Sequence, residues 1–342
     1  MKATIFVEPG KMKIENIDKP EINGEDQAII RVVRSSVCGS DLWWYRGISE
    51  KEKGSTAGHE AIGVVEEVSK DVKNIKAGDF VIVPFTHGCG HCTACKAGFD
   101  GDCLNHASGS SSFQAEYLRY VSASWGLVKI PGSPEDYSDE MLKSLQTLAD
   151  VMATGFHAAK TAEVKAGETV VVMGDGAVGL CGVIGAKLLG AKRIIAMSRH
   201  EDRQKLAIEF GATDIVAERG EAAVQKIMDL TEAGADAVLE CVGTKESIET
   251  AVKVGRPGAI VGRVGVPHID ELDTNALFWR NIGLRGGIAA VTTHDKAILL
   301  NAVLKGEINP GKVFNKQFTL DNVQVAYEAM DQREAIKSLL II

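Results

Sequence analysis

Four cysteines, Cys89, Cys92, Cys95 and Cys103, crowd one short loop of this chain. Thiols at this spacing suit chelation of one metal better than disulfide pairing with each other. Four soft thiolates complete a tetrahedral zinc shell and leave no open position, so the role expected of this loop is structural. His91 is an alternative donor in the loop, although the spacing favours the cysteines. A second set is scattered along the chain. It comprises Cys38 in Cys38-Gly39-Ser40-Asp41, His59 in Gly58-His59-Glu60, and Asp150. Each alone reads as an ordinary core or polar residue. Together they offer a thiolate, an imidazole and a carboxylate, which can hold zinc with one position open for a reactant.

A third pattern concerns a dinucleotide. Gly174-Asp175-Gly176-Ala177-Val178-Gly179 follows the apolar run Val170-Val171-Val172-Met173 and precedes a helix-like segment. A lone glycine motif is weak, but strand–turn–helix is the context it requires. The glycines permit a tight turn and close approach to a pyrophosphate, and a helix N-terminus favours that charge. The end of the next strand separates the two nicotinamide cofactors, because an acid there holds the ribose 2′-hydroxyl of NAD. This chain reads Ala196-Met197-Ser198-Arg199-His200 instead. Ser198 and Arg199, helped by Arg203, suit a 2′-phosphate, since guanidinium binds phosphate through paired hydrogen bonds. NADP is the expected cofactor and NAD the alternative.

These residues need elements to position them. Ala28 to Val33, Ala61 to Val68 and Asp79 to Val83 are β-branched runs separated by turn residues, which predicts a mostly β domain. Met141, Leu142, Leu145, Leu148 and Met152 recur at helical spacing and predict one long helix leading out of it. Thr169 to Met173, Arg193 to Met197, Asp214 to Ala217, Ala237 to Glu240 and Ala259 to Val261 read as strands. Helices such as Ala177 to Leu189 and Asp202 to Phe210 lie between them. This alternation predicts an α/β class with a parallel, doubly wound sheet. One or two further helices and a strand, Lys337 to Ile341, close the chain.

At 342 residues, two domains are expected. The net charge of −8, without a clustered basic face, disfavours nucleic acid or a membrane surface as partner. Met1 to Ile5 runs into strand-like sequence with no signal-peptide pattern. The most apolar stretch, Val170 to Leu189, is interrupted by Asp175, Lys187 and glycines, and does not read as a membrane span. A cytoplasmic location and reduced cysteines follow as expectations. Cys181 and Cys241 read as small buried residues.

The motifs, in order over essentially the whole chain, resemble the zinc-dependent alcohol dehydrogenases of the medium-chain dehydrogenase/reductase superfamily. Their phrasing is nearest the threonine-dehydrogenase and formaldehyde-dehydrogenase-like branch. The resemblance implies a GroES-like β domain over 1–151 and 290–342, carrying both zincs, and a Rossmann domain over 152–289. It implies Cys38, His59 and Asp150 as ligands of a catalytic zinc. Asp150 stands where a two-cysteine, one-histidine site has its second thiolate, and both groups carry the same charge. Glu60 would lie beside the metal and join it transiently, and Asp41 would orient the His59 ring. Ser40 matches the hydroxyl that passes the alcohol proton toward the cofactor ribose. Trp43 replaces the histidine that continues this relay in many relatives, which leaves the later steps of the relay open, a water chain being one route. Thr154, Val178, Val264 and Val266 match nicotinamide contacts, Lys337 a pyrophosphate contact, and Phe85 and Trp43 the substrate pocket. The implied reaction is hydride transfer between an alcohol, or its aldehyde or ketone, and the cofactor. The metal would lower the hydroxyl pKa or polarise the carbonyl. Relatives pair through the Rossmann sheet edge, which implies a homodimer or homotetramer.

Other classes share these residues. A non-catalytic zinc scaffold or NADP sensor predicts a missing ligand or relay hydroxyl, yet Cys38, Ser40, His59 and Asp150 are all present. A zinc-free enoyl or quinone reductase would lack the metal motifs. A zinc lyase or epimerase without net redox uses the same set. Apolar pockets discriminate by only about 1–3 kcal/mol per methylene, so residue types alone do not name a substrate.

Overall fold

The computed structural model describes residues 1–106, 109–268, 272–289 and 293–342. The chain divides into two compact units, Met1–Asp150 with Ala290–Ile342, and Val151–Ala289. In the first, β1 (Lys2–Glu8) and β2 (Lys11–Asn16) form an antiparallel hairpin. The central strand β3 (Gln27–Ser36) pairs antiparallel with β4 (Ala61–Val68) and with β6 (Tyr117–Val121). From β4 the sheet continues through β5 (Phe80–Val83) to β7 (Val128–Ile130). All four residues of β5 are buried, as in a strand covered on both faces. Ala28, Ile30 and Val32 pack with Val65, Val81, Leu118 and Tyr120 in one core of this unit. Short helices α1 (Asp41–Tyr45), α2 (Thr93–Lys96) and α3 (Ala123–Gly126) sit in the connections.

The single helix expected across Met141 to Met152 is two helices, α4 (Asp139–Thr147) and α5 (Val151–Thr161). Between them Leu148, Ala149 and Asp150 donate their N–H groups to the carbonyls three residues back, at 3.1–3.2 Å. This tight turn frees the Ala149 carbonyl for the N–H of Phe85 at 3.3 Å. Leu145, Leu148, Ala149, Val151 and Met152 are all buried, so the apolar period runs through the break unaltered.

The second unit alternates strand and helix: β8 (Thr169–Met173), α6 (Ala177–Leu188), β9 (Arg193–Met197), α7 (Glu201–Phe210), β10 (Asp214–Val216) and α8 (Gly220–Thr231). It continues with β11 (Ala235–Glu240), α9 (Lys245–Val254), β12 (Gly255–Arg263), α10 (Thr274–Arg280) and β13 (Gly283–Gly286). The order β10-β9-β8-β11-β12-β13 is parallel throughout. The order in which strands are added turns back between β8 and β11, and the carboxyl ends of strands at such a switch point open a ligand crevice. Gly155 of α5 and Gly185 of α6 let the two helices pack closely. A Cβ on Gly155 of α5 would stand 2.5 Å from the Gly182 nitrogen, so no larger residue fits between these helices. The glycine-bounded β13 and the short α10 escaped sequence reading.

The chain then returns to the first unit as α11 (Thr293–Leu304), β14 (Lys316–Thr319), α12 (Val323–Asp331) and β15 (Ser338–Ile341). Strand β15 pairs antiparallel with β3, setting Leu339 opposite Ser36. This brings Lys337 beside Val37 and Cys38. No helix among the described residues is long and apolar enough to cross a membrane.

Candidate active site

Cys38 follows the end of β3, His59 and Glu60 precede β4, and Asp150 ends the turn between α4 and α5. Their ligand atoms lie within 4.8 Å of one another. The Cys38 thiol donates to Asp150 Oδ2 at 3.1 Å, and His59 Nε2 lies 3.4 Å from the same oxygen. The other ring nitrogen of His59 is 3.4 Å from Asp41 Oδ1, while Asp41 Oδ2 accepts the Cys38 N–H at 3.0 Å. Asp41 therefore braces two members of the set at once. Burial and the Asp150 charge push the Cys38 thiol up. Burial would lower His59, but the Asp41 charge and hydrogen bonds to Asp150 and Asp41 outweigh it and raise the ring well above the ordinary imidazole range. The protons held here are the ones a divalent cation displaces when thiol and imidazole become ligands. The Phe85 ring stands edge-on to His59 with centroids 5.9 Å apart. Trp43 is half-buried in α1, and Ser40, at the start of that helix, makes no capping bond with its side chain.

Glu60 and Lys337 are fully buried, 0% and 1% exposed, with Oε1 and Nζ 2.5 Å apart. The Lys337 ammonium also donates to the Val37 carbonyl at 3.1 Å. Among the described residues Glu60 Oε2 has no hydrogen-bond partner, and an orphaned buried carboxylate oxygen beside a thiol and an imidazole fits a cation site. Burial raises the Glu60 carboxyl against the opposing Lys337 charge; for Lys337 burial lowers and the Glu60 charge more than restores. Lys337, expected as a pyrophosphate contact, lies beside Glu60. Its ammonium is enclosed and spent on Glu60 and Val37.

The sulfurs of Cys89, Cys92, Cys95 and Cys103 also lie within 4.8 Å of one another. Backbone N–H groups of Cys89 and Asn105 point at Cys103 Sγ, each at 3.3 Å, and that of Cys92 points at Cys89 Sγ at 3.4 Å. Such donors stabilise thiolates. Burial would raise Cys89, yet the backbone donors lower it to about 6. Burial dominates at Cys95, pushing it up to about 12. The Trp125 ring covers Gly90, and its Nε1 donates to the buried Asp100 at 3.2 Å. Lys296 of α11, fully buried, donates to the Gly126 carbonyl at 3.3 Å. His91 faces out, its ring nitrogen on the Cys89 carbonyl.

In the second unit, Gly174 takes φ +104° at the turn after β8. A Cβ on Gly179 would stand 2.0 Å from the Gly174 carbonyl oxygen, so this glycine lets α6 close on the turn. A Cβ on Gly176 would meet nothing within 4 Å among the described residues, which leaves room for a phosphate against the start of α6, where Ala177 and Val178 lie. Thr154 is buried in α5, Val178 and Val264 are half-buried, and Val266 is exposed. At the end of β9 the three expected phosphate donors have different surroundings. Ser198 is fully buried and donates to Asp175 Oδ2 at 2.8 Å. Arg203 is bonded to the Asp175 carbonyl at 3.3 Å and lies 3.5 Å from its carboxylate. Both support the turn through Asp175, and Arg199 alone of the three is exposed.

Comparison with known proteins addresses the whole chain. The zinc-binding dehydrogenase family matches residues 177–303, and the alcohol dehydrogenase GroES-like domain matches residues 24–132. Zinc-type alcohol dehydrogenase B of Aspergillus flavus is 31% identical over 98% of this chain and 80% of its own. The chain belongs to the zinc-dependent alcohol dehydrogenase family. An uncharacterized zinc-type alcohol dehydrogenase-like protein of Bacillus subtilis is 30% identical over 99% of this chain and all of its own. The solved alcohol dehydrogenase TADH from Thermus sp. ATN1 superposes with a TM-score of 0.89 at 29% identity, covering 100% and 99% of the two chains. This dehydrogenase is thus a zinc-dependent oxidoreductase of alcohols and their carbonyl counterparts, with a GroES-like unit and a Rossmann-like unit. Sequence reasoning overlooked the Glu60–Lys337 pair, the Asp175 hub and the Asp100–Trp125–Lys296 support. Only Asp175 carried a signal, as an acid inside the glycine turn.

Proposed function

We propose that this dehydrogenase uses NADP, with Cys38, His59 and Asp150 as catalytic metal ligands and Cys89, Cys92, Cys95 and Cys103 holding a structural zinc. The convergence of Cys38, His59 and Asp150, side chains from three separate segments, carries the reading of the catalytic site. When bound, zinc supplies Lewis acidity at a substrate oxygen and the nicotinamide supplies the hydride acceptor or donor. Asp41 fixes the His59 ring so that Nε2 points toward Asp150 and Cys38. Ser40, whose side chain makes no capping bond at the head of α1, holds and passes the substrate proton. Glu60 adds a carboxylate beside the ligands, kept in place by Lys337. Phe85 and Trp43 shape the pocket, which favours an uncharged alcohol, aldehyde or ketone. Thr154, Val178, Val264 and Val266 back the nicotinamide end. NADP is supported by the exposed Arg199 and by the lack of an acid at the end of β9. One observation favours NAD as a second reading: the Asp175 carboxylate reaches Ser198 at that strand end, where an acid serves a ribose hydroxyl. The subunits pair as a homodimer or homotetramer through the β13 edge.

The test is zinc content per chain, with turnover on a panel of alcohols, aldehydes and ketones with each cofactor. Two zincs, one of them lost with activity in Cys38→Ala and Asp150→Ala, is the expected result. Zinc content unchanged by both substitutions would remove the assigned ligands, and higher kcat/KM with NAD would overturn NADP.

A further inference from the structure

Strands β9 and β10 are parallel neighbours, with Met197 opposite Val216, and the Ser198 N–H continues the ladder onto the Val216 carbonyl at 3.1 Å. Whatever follows the two strands therefore emerges at one edge of the sheet. After β9 comes Arg199, exposed; after β10 comes Arg219, half-buried, at the residue before α8. Nη1 of Arg219 donates to the Glu218 carbonyl at 2.8 Å, which steadies the guanidinium and leaves its other N–H groups to serve a ligand. Among the described residues neither arginine makes a salt bridge. Burial lowers Arg219, and the charge of Arg199 lowers it further. Asp175 and Glu246 act in the opposite sense, but Asp175 already serves Ser198 and Arg203. Two guanidinium groups that follow neighbouring parallel strands, at the strand ends where an adenosine ribose is bound in this type of sheet, are placed to share one anion.

We propose that Arg219 and Arg199 together clamp the 2′-phosphate of the cofactor's adenosine ribose, with Arg219 as a specificity-determining residue. The inference rests on the NADP reading above. Planar guanidinium groups donate in pairs to phosphate oxygens, and two of them match a dianion better than one. Asp175, held back by Ser198 and Arg203, is kept from opposing the phosphate.

The decisive measurement is calorimetric binding of 2′,5′-ADP, 5′-ADP and inorganic phosphate to the zinc-loaded dehydrogenase and to Arg219→Ala, Arg219→Lys and Arg199→Ala. Circular dichroism melts would verify that each variant is folded. The native protein should prefer 2′,5′-ADP to 5′-ADP and to inorganic phosphate. Arg219→Ala should weaken 2′,5′-ADP by roughly ten- to hundredfold, the usual range for a charged hydrogen bond, and leave 5′-ADP within about twofold. Arg219→Lys, which keeps the charge but loses the fork, should fall between. If Arg199→Ala loses the preference and Arg219→Ala keeps it, Arg199 works alone and the clamp is overturned while the NADP reading survives. A native protein that binds 5′-ADP as tightly as 2′,5′-ADP would sink the NADP reading itself.

Discussion

Asp41 and Lys337 show how much a site depends on residues that would not touch substrate. Asp41 bonds the His59 ring and the Cys38 backbone together, so its loss loosens two ligands at once. Asp41→Asn should weaken zinc binding or turnover by about 10–100-fold, the usual effect of losing a partner behind a ligand. Competition with a chromogenic chelator measures it directly. Lys337 is the cation of a buried pair, and removing one partner of such a pair costs about 3–5 kcal/mol because the other charge stays buried and unpaired. Lys337→Met should show a loss of that order in urea unfolding. Adding Glu60→Gln should recover part of it, and a double variant no more stable than the single would argue against the pair.

The elements around the four-cysteine loop come from distant parts of the chain. Helix α11 sends Lys296 to the Gly126 carbonyl, next to the Trp125 ring that covers the loop. Burial lowers this lysine from 10.5 to about 8. Between about pH 8 and 10.5 the unfolded chain therefore binds a proton that the folded chain does not, and this group makes stability rise with pH across that window. Below pH 8 the cost of the buried charge is fully present. The native protein should gain stability from pH 8 to 10 relative to Lys296→Met, in which this contribution is absent. Equal slopes in denaturant titrations of the two proteins would contradict the assignment.

At the scale of the molecule, α10 and β13 define one edge of the Rossmann-like sheet. Phe278 and Trp279 on α10 pack edge to face and stand 70% and 78% exposed, more than expected of an apolar pair with no partner. The proposed subunit contact at this edge gives them one. Phe278→Asp/Trp279→Asp should reduce the mass measured by light scattering at micromolar concentration. A native protein that already has a monomeric mass would dismiss the contact.

The cysteine loop, the glycine turn and the strand–helix alternation were legible in the sequence because each is a short-range pattern. A chelating loop, a tight turn and an amphipathic period are all completed within a few residues. Cys38, His59 and Asp150 were legible as donor types and through family resemblance, whereas their meeting depends on contacts such as Cys38–Asp150, 112 residues apart. The break between α4 and α5 was hidden because the apolar positions flanking it, Leu145, Leu148, Val151 and Met152, are all buried. The fate of Lys337 was decided by β15 pairing with β3, which joins it to a carboxylate 277 residues away. Ser198, Arg203 and Arg219 were likewise sorted by tertiary structure, as turn supports or as an open cation, through Asp175 and the pairing of β9 with β10. Local sequence specifies which groups a segment can offer. Burial and long-range strand pairing specify which of those groups remain available to a ligand.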